Sequence, residues 1–274
     1  MNRLSLKAPA KLNLHLQVVR KRKDNFHDIK SVFQLIDLYD ELTFEKTPKN
    51  LELKEKTNPI KNNLVLSAAT ILKKVTNCDL GAKITLRKKI PVEGGLGGGS
   101  SDAAATLIAL NKLWKTNLSK KKLSELALQL GSDVPFFIHG KNSWAEGRGE
   151  ILKSITLPKK WFIIAVPKTK ISTKLAFQSI DLGKCKKDQT ITLKDFENGI
   201  TKNSFLDWVR VNFPELEKIF LELQHIGNPR LTGTGSSMFL SFNNQEEALN
   251  RYSLFPEGIL VKSLDHSPLM QLIE

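Results

Sequence analysis

Cysteine is nearly absent from this chain of 274 residues, only Cys78 and Cys185 carrying a thiol. Two thiols so far apart make neither a disulfide framework nor a metal-knuckle spacing, which excludes small secreted scaffolds and zinc ribbons. Long apolar runs are lacking too: the longest strongly apolar run, Phe162 to Val166, is far too short to cross a bilayer. No signal-peptide core is legible at the start, where Lys7 and Lys11 interrupt it and polar residues alternate through Leu12–Val19. Acidic residues are the scarcer sign, 28 Asp and Glu against 42 Lys and Arg, for a net charge of +14. Such a field favours anionic partners, from nucleic acids to phosphorylated small molecules. Yet the basic residues sit in short, scattered clusters (Arg20–Lys23, Arg87–Lys89, Lys120–Lys122, Lys159–Lys160, Lys186–Lys187) without interleaved aromatics, so neither a basic tail nor a strand-binding groove is evident. A cytoplasmic protein with no membrane and no nucleic-acid partner is expected. The length exceeds what one core usually fills, predicting one large domain or two fused ones.

What is present alternates between strand and helix periodicity. Over residues 10–18, Leu12, Leu14, Leu16 and Val18 share one face of a strand. Lys11, Asn13, His15 and Gln17 share the other, a polar face that is either solvated or lines a cleft. Leu64, Ala68, Ile71, Leu72 and Val75 recur at helical spacing behind an Asn62-Asn63 cap. Ala82–Leu86 reads as a strand, and Ala103, Leu107, Leu110 and Trp114 as a helix stripe. A further helix carries Leu123, Leu126, Ala127 and Leu130, capped by Ser119 and stopped by Gly131. Leu157-Pro158-Lys159-Lys160 is the candidate seam between domains 1–157 and 158–274. Beyond it, Trp161–Val166 is a continuous apolar strand expected to be buried on both faces. Pro214 opens a helix with Leu216, Ile219, Phe220 and Leu223, ended near Gly227. A second glycine-rich turn, Thr232–Ser237, then precedes strands Met238–Phe242 and Ile259–Leu264 around a short helix from Glu246. Alternating strands and helices in both halves predict α/β layers in an α+β fold.

The loudest signal is the run Pro91, Val92, Glu93, Gly94, Gly95, Leu96, Gly97, Gly98, Gly99, Ser100, Ser101, Asp102 between a predicted strand and a predicted helix. Glycine lets consecutive backbone N–H groups turn inward, and the helix end adds unsatisfied donors and a positive dipole, a cradle for phosphate oxygens. A Walker-A loop needs Gly-Lys-Ser/Thr, which the run lacks, and Ser100 stands where a dinucleotide fingerprint needs its last glycine.

Pro91 to Ala104 closely resembles the nucleotide-binding motif of the GHMP small-molecule kinases. Three further segments agree with that family in order and spacing: Ala8 to Leu14 (Ala-Pro-Ala-Lys-Leu-Asn-Leu), Gly131 to Phe137 (Gly-Ser-Asp-Val-Pro-Phe-Phe), and Arg230 to Ser236 (Arg-Leu-Thr-Gly-Thr-Gly-Ser). The resemblance spans nearly the whole chain. It implies an N-terminal domain like ribosomal protein S5 domain 2, a ferredoxin-like C-terminal domain, and a site between them. It also implies ATP as phosphoryl donor, Mg²⁺ bridging phosphate oxygens, and direct in-line transfer. The branch of the family these motifs match best implies a cytidine-diphosphate sugar alcohol as acceptor, phosphorylated on its 2-hydroxyl. Residues Pro91 to Ser101 would hold ATP, with Asn63 and Lys88 near the adenine.

Unaided, Lys11 is a solvated lysine on a polar strand face, and Asp133, two residues before Pro135, is a cap or turn residue. The resemblance makes them the catalytic pair. Asp133 would accept the hydroxyl proton, and Lys11 would stabilise the alkoxide and the charge on the transferred phosphoryl group. None of the five histidines shows ligand spacing, which argues against zinc and leaves the metal ligands undefined. By the same resemblance Phe26 would stack on cytosine, His27 would hydrogen-bond its polar edge, and Phe177 would cover its other face. Asn13 and Thr173 would contact the rest of the acceptor. Gly233, Thr234 and Gly235, unaided an ordinary tight turn, would close the cleft from the second domain.

Three departures from the family pattern stand out. Glu93 occupies a position usually held by a small residue. It must point outward, pair with Lys88 or Lys89, or weaken ATP binding. Asn25 replaces a glycine, in a turn that asparagine fills at positive φ. Phe26 replaces a tyrosine and keeps the stacking face. Two competing readings remain at this stage. One is a GHMP kinase for mevalonate-like or amino-alcohol acceptors, which would have no use for a cytosine clamp. The other is a basic nucleic-acid-binding protein on the S5-like fold.

Overall fold

Two long strands organise the first half of the chain. β1 (Arg3–Lys21) and β2 (His27–Thr47) pair antiparallel along their whole lengths, with shifts of register at Pro9/Ala10, Asn13/His15 and Val18/Arg20. The computed structural model describes residues 2–56, 63–180 and 189–273. Asn62, Cys185 and the Lys186-Lys187 cluster lie outside the described residues. The free edge of β2 is shared by two strands: β4 (Gly81–Arg87) along Glu41–Thr47 and β5 (Ser143–Glu146) along Ser31–Phe33. β3 (Leu51–Glu55) adds in parallel to β4, and β6 (Ile151–Ser154) adds antiparallel to β5.

Four helices, α1 (Leu64–Thr76), α2 (Gly98–Leu113), α3 (Lys120–Leu130) and α4 (Val134–His139), build a core with this sheet. The caps follow local chemistry: the Asn63 and Ser119 side chains accept from Val65 N and Lys122 N, and Gly131 ends α3. α2 is more deeply set than an amphipathic stripe implies, every residue from Ser101 to Leu110 being buried. Ala103, Ala104 and Ala105 have no bulk to hold neighbours away, so packing surrounds the helix on all sides.

The second half forms its own sheet from β7 (Trp161–Ala165), β8 (Arg230–Leu231), β9 (Met238–Phe242) and β10 (Ile259–Lys262), all antiparallel in the order β10-β7-β9-β8. Helices α5 (Thr173–Ser179), Leu193–Glu197, Leu206–Asn212 and Pro214–Gln224 lie between β7 and β8, and Gln245–Tyr252 lies between β9 and β10. This is the βαββαβ arrangement of a ferredoxin-like unit. As expected, β7 is buried on both faces. Ile163 and Ala165 pack with the helices, while Phe162 and Ile164 join Phe239 and Val261 against Ala10, Leu12, Leu14, Val32 and Ile36 of the first sheet. The two sheets thus share an apolar seam. The turn Pro268–Leu272 returns to the first half, where Leu269 joins the core and Ser267 N donates to Gly140 O at 2.8 Å.

The polar face of β1 is not solvated. Lys11, Asn13, His15 and Gln17 are all buried. His15 meets the second half through Nδ1, which accepts from Lys202 N at 3.1 Å; its ring stacks on Trp144 of β5, and Nε2 has no partner among the described residues. Burial, then the charges of Lys202 and Lys30, lowers its pKa to about 4. A histidine kept neutral when folded binds its proton more readily when unfolded, so acid destabilises the fold from about pH 6.5 down to about pH 4. Between pH 7 and pH 5 the parent should lose about 2 kcal/mol more stability than His15→Gln. Urea melts of both proteins at the two pH values measure this, and equal losses would remove His15 from the account.

Candidate active site

A cleft of ≈ 1040 Å³ opens where α2, the β1 polar face and the second half meet. Its floor is the glycine-rich run. Gly95 and Gly97 both sit at φ +74°, and Gly97 caps α2 with left-handed backbone. The first turn of α2 therefore begins inside the cleft, where its leading N–H groups have no intrahelical acceptor. The loop is tied down from several sides. Lys11 N donates to Leu96 O at 3.0 Å, and Thr232 Oγ1, buried in the second half, donates to Gly95 O at 3.3 Å while accepting from Asn13 N at 3.0 Å. Asn203 Nδ2 holds Leu231 O and Gly233 O at 2.9 Å each, fixing the second glycine turn against the loop.

Lys11 projects from β1 into this corner. Its ammonium is almost wholly buried, donates to Asn13 Oδ1 and to Gly95 O at 3.0 Å, lies 5.6 Å from the Phe33 ring centroid, and faces Asp133 Oδ2 at 3.5 Å. Asp133 precedes α4 but makes no capping hydrogen bond. Its carboxylate is free of the structural duty that its sequence position suggests, and its side chain is about one-third exposed, toward the cleft. A buried ammonium beside a partly exposed carboxylate can hold negative charge and accept a proton at one point.

The opposite end is aromatic. The turn before β2 is braced by Arg22, which bridges Asp24 and Asp28, and by Asp24 Oδ1, which accepts from Phe26 N at 3.1 Å. Asn25 takes φ 66°, as expected for the residue standing in for glycine. Phe26 is presented half-exposed, and His27 stacks on Phe177 with ring centroids 5.1 Å apart. Burial, then the Lys21 charge, holds the His27 imidazolium below its ordinary pKa, so the ring is neutral at pH 7. Thr173 Oγ1 and Thr234 Oγ1 approach to 3.3 Å across the mouth.

One cleft brings together Lys11, Asn13, Phe26, His27, Asn63, Lys88, Pro91 to Ser100, Asp133, Thr173, Phe177, Gly233 and Thr234. Two expected residues are not on its wall. Ser101 is buried on the inner side of α2, and Gly235 packs against Ile171 and Leu231. Asn63 and Lys88 line the cleft but are already engaged. Asn63 Nδ2 donates to Glu55 at 2.8 Å, and Lys88 is held between Asp40 and Asp102, 2.8 Å from the latter. Asp40 also accepts from Lys89 N at 2.6 Å and Ile90 N at 2.9 Å, so this buried trio anchors the approach to the loop. Burial raises the Asp102 carboxyl to about 8, opposed by the Lys88 ammonium and reinforced by Asp40. With Lys88 so occupied and Lys89 paired to Glu41 at 2.5 Å, Glu93 pairs with neither lysine; it stands exposed on the cleft wall at φ 57°. Sequence reasoning gave no role to Phe33, Asp40, Asp102 or Arg148; for Arg148 the flanking Gly147 and Gly149 were the available signal.

Known proteins resemble this chain in sequence and fold. The sequence profile of the GHMP kinases N terminal domain matches residues 63–141. A 4-diphosphocytidyl-2-C-methyl-D-erythritol kinase from Colwellia psychrerythraea is 39% identical over 275 residues, covering 97% of this chain and 92% of its own. A crystal structure of a 4-(cytidine 5'-diphospho)-2C-methyl-D-erythritol kinase superposes with a TM-score of 0.83 at 29% identity, covering 96% of this chain and 100% of that one. A crystal structure of a mevalonate kinase, 16% identical with a TM-score of 0.70 over 96% of this chain and 99% of its own, shares the fold alone. With two-fifths of its residues identical along almost the whole of both chains, the protein belongs to the 4-diphosphocytidyl-2-C-methyl-D-erythritol kinases of the GHMP family.

Proposed function

We infer that the protein transfers the terminal phosphoryl group of ATP to the 2-hydroxyl of 4-diphosphocytidyl-2-C-methyl-D-erythritol, giving the 2-phosphate and ADP in non-mevalonate isoprenoid precursor biosynthesis. One observation carries this reading: the Lys11–Asp133 pair stands in a single cleft with a glycine cradle for phosphate and an aromatic–histidine clamp for a base. The leading N–H groups of α2 and of the loop would seat the nucleotide phosphates. Asp133 would take the proton from the acceptor hydroxyl as the oxygen attacks in line, and Lys11 would neutralise the charge shared by that oxygen and the transferred group. Phe26 and Phe177 would hold cytosine between them, with the neutral His27 donating to or accepting from its edge, and Asn13 and Thr173 would position the remainder.

The Ser100 hydroxyl and Asp102 Oδ1, unpartnered among the described residues, would hold Mg²⁺, which would supply positive charge to offset that of the nucleotide. The domains are proposed as 1–157 and 158–274, and the setting as cytoplasmic; among the described residues no helix is long and apolar enough to cross a membrane.

A coupled ADP-release assay tests the function, with the cytidine-diphosphate acceptor beside mevalonate and homoserine. Turnover with the first alone is expected, and turnover with either of the others in its place rejects the clamp. Within that assay, Phe26→Ala should raise KM for the cytidine acceptor about tenfold or more, stacking being worth about 1–3 kcal/mol per base. KM for ATP should stay unchanged, and an unaltered acceptor KM would remove Phe26 from the site. A salt-titrated RNA-binding measurement separates the nucleic-acid reading, which predicts steep loss of affinity with salt and no ATP turnover.

A further inference from the structure

Arg148 stands in the cleft with a charge that no step above uses. It lies in the turn between β5 and β6, held on either side: Gly147 O accepts from Ile29 N at 2.7 Å, and Glu150 Oε2 accepts from Arg148 N at 2.5 Å. The guanidinium carbon is 4.1 Å from the Phe26 ring centroid, and the residue is half-buried. Among the described residues its side chain makes no hydrogen bond and no ion pair. Asp24 is the acid near enough to feel the Arg148 charge, but Arg22 and Phe26 N occupy its oxygens. A guanidinium carries several fixed donors, and inside a cleft such donors call for an acceptor.

The position of the turn says which acceptor. A Cβ on Gly149 would lie 3.6 Å from the Phe33 ring and 3.8 Å from Ser132 O, so the turn abuts the loop that carries Asp133. Its other side reaches Phe26. Arg148 therefore lies between the base clamp and the catalytic pair. An acceptor with its base at Phe26 and its hydroxyl at Asp133 must run its diphosphate along that interval. A planar guanidinium can rest its face on an aromatic ring while its edge donates to phosphate oxygens.

We propose that Arg148 binds the diphosphate of the acceptor, with its flat face kept on Phe26, as a specificity-determining residue that distinguishes a nucleoside diphosphate derivative from a bare nucleoside. The proposal rests on the function inferred above, and its test separates the two. Binding of cytidine and of CDP is measured for the parent, Arg148→Ala and Arg148→Lys, with a non-hydrolysable ATP analogue saturating the nucleotide site. Arg148→Ala should weaken CDP about tenfold and leave cytidine within about twofold, one charge-assisted hydrogen-bonding group being lost. It should also raise KM for the acceptor about tenfold, with kcat and KM for ATP within about twofold of the parent. Arg148→Lys should recover part of the CDP affinity as a point charge. Equal weakening of cytidine and CDP would mean that Arg148 acts only through Phe26, and unchanged CDP affinity would mean that it meets no phosphate. Either result overturns this proposal and spares the function. A parent that binds neither ligand and phosphorylates no cytidine acceptor overturns both.

Discussion

Asp133→Asn is expected to lower kcat by about 10²–10⁴, the usual contribution of a positioned general base, while both substrate KM values stay near those of the parent. The size of the effect follows from what Asn cannot do. It matches the carboxylate in shape and keeps a polar tip beside Lys11, but it takes up no proton from an attacking hydroxyl and carries no counter-charge for the ammonium 3.5 Å away. Stability should hold, because the Asp133 side chain makes no capping bond to α4 that could be lost. Lys11→Met is a blunter probe. The Lys11 ammonium also donates to Asn13 Oδ1 and Gly95 O, so its removal strips support from the loop as well as charge from the site. If the two residues act as one unit, the double variant should be scarcely slower than the worse of the singles. Single-turnover rates, with a melting curve for each variant, decide the matter. A rate for Asp133→Asn within a few-fold of the parent would remove it as the base.

The residues differ in how far their roles could be read in advance, and the reason is sequence distance. Caps such as Ser119 and Asn63, and the stop at Gly131, depend on neighbours within a turn and were legible from local chemistry. Lys11 and Asp133 were legible only through resemblance: each alone has an ordinary surface explanation, and nothing local says that β1 and the start of α4 converge. The polar face of β1 illustrates the limit. Its alternation was plain, but whether these side chains met water or protein depended on distant segments: Lys11 and Asn13 meet Gly95, Asp133 and Ser31, while His15 and Gln17 accept from Lys202 N and Ile191 N of the second half. The Asp40–Lys88–Asp102 trio was hidden for the same reason, since β2, the residue after β4, and α2 each contribute one ionisable group to a place none of them specifies. For Glu93 the pairing option is removed by long-range partners, Lys88 being held by Asp40 and Asp102 and Lys89 by Glu41.

The geometry of the glycine loop makes the second large effect. Gly95→Ala should reduce kcat/KM for ATP by about 10²-fold or more, the cost of displacing a reacting group by about an ångström. Gly95 sits at φ +74°, where a Cβ costs about 1–2 kcal/mol. That Cβ would also stand 2.4 Å from Thr232 O, a backbone atom held in the second glycine turn rather than the tip of a pliable side chain. Something must shift, and what shifts carries chemistry, because the Gly95 carbonyl is the acceptor for Lys11 Nζ and Thr232 Oγ1. Moving it would turn the ammonium away from Asp133 and, together with it, redirect the loop N–H groups proposed to seat the phosphates. Gly99→Ala is the control for stability. It lies in α2, and a Cβ there would meet only Leu64 Cδ1 at 3.9 Å, so its melting temperature should equal or exceed that of the parent. Gly95→Ala should melt earlier than both. If it instead keeps parental kinetics, the carbonyl that joins the loop to Lys11 is not what aligns donor and base, and the link between phosphate seat and proton acceptor must run elsewhere.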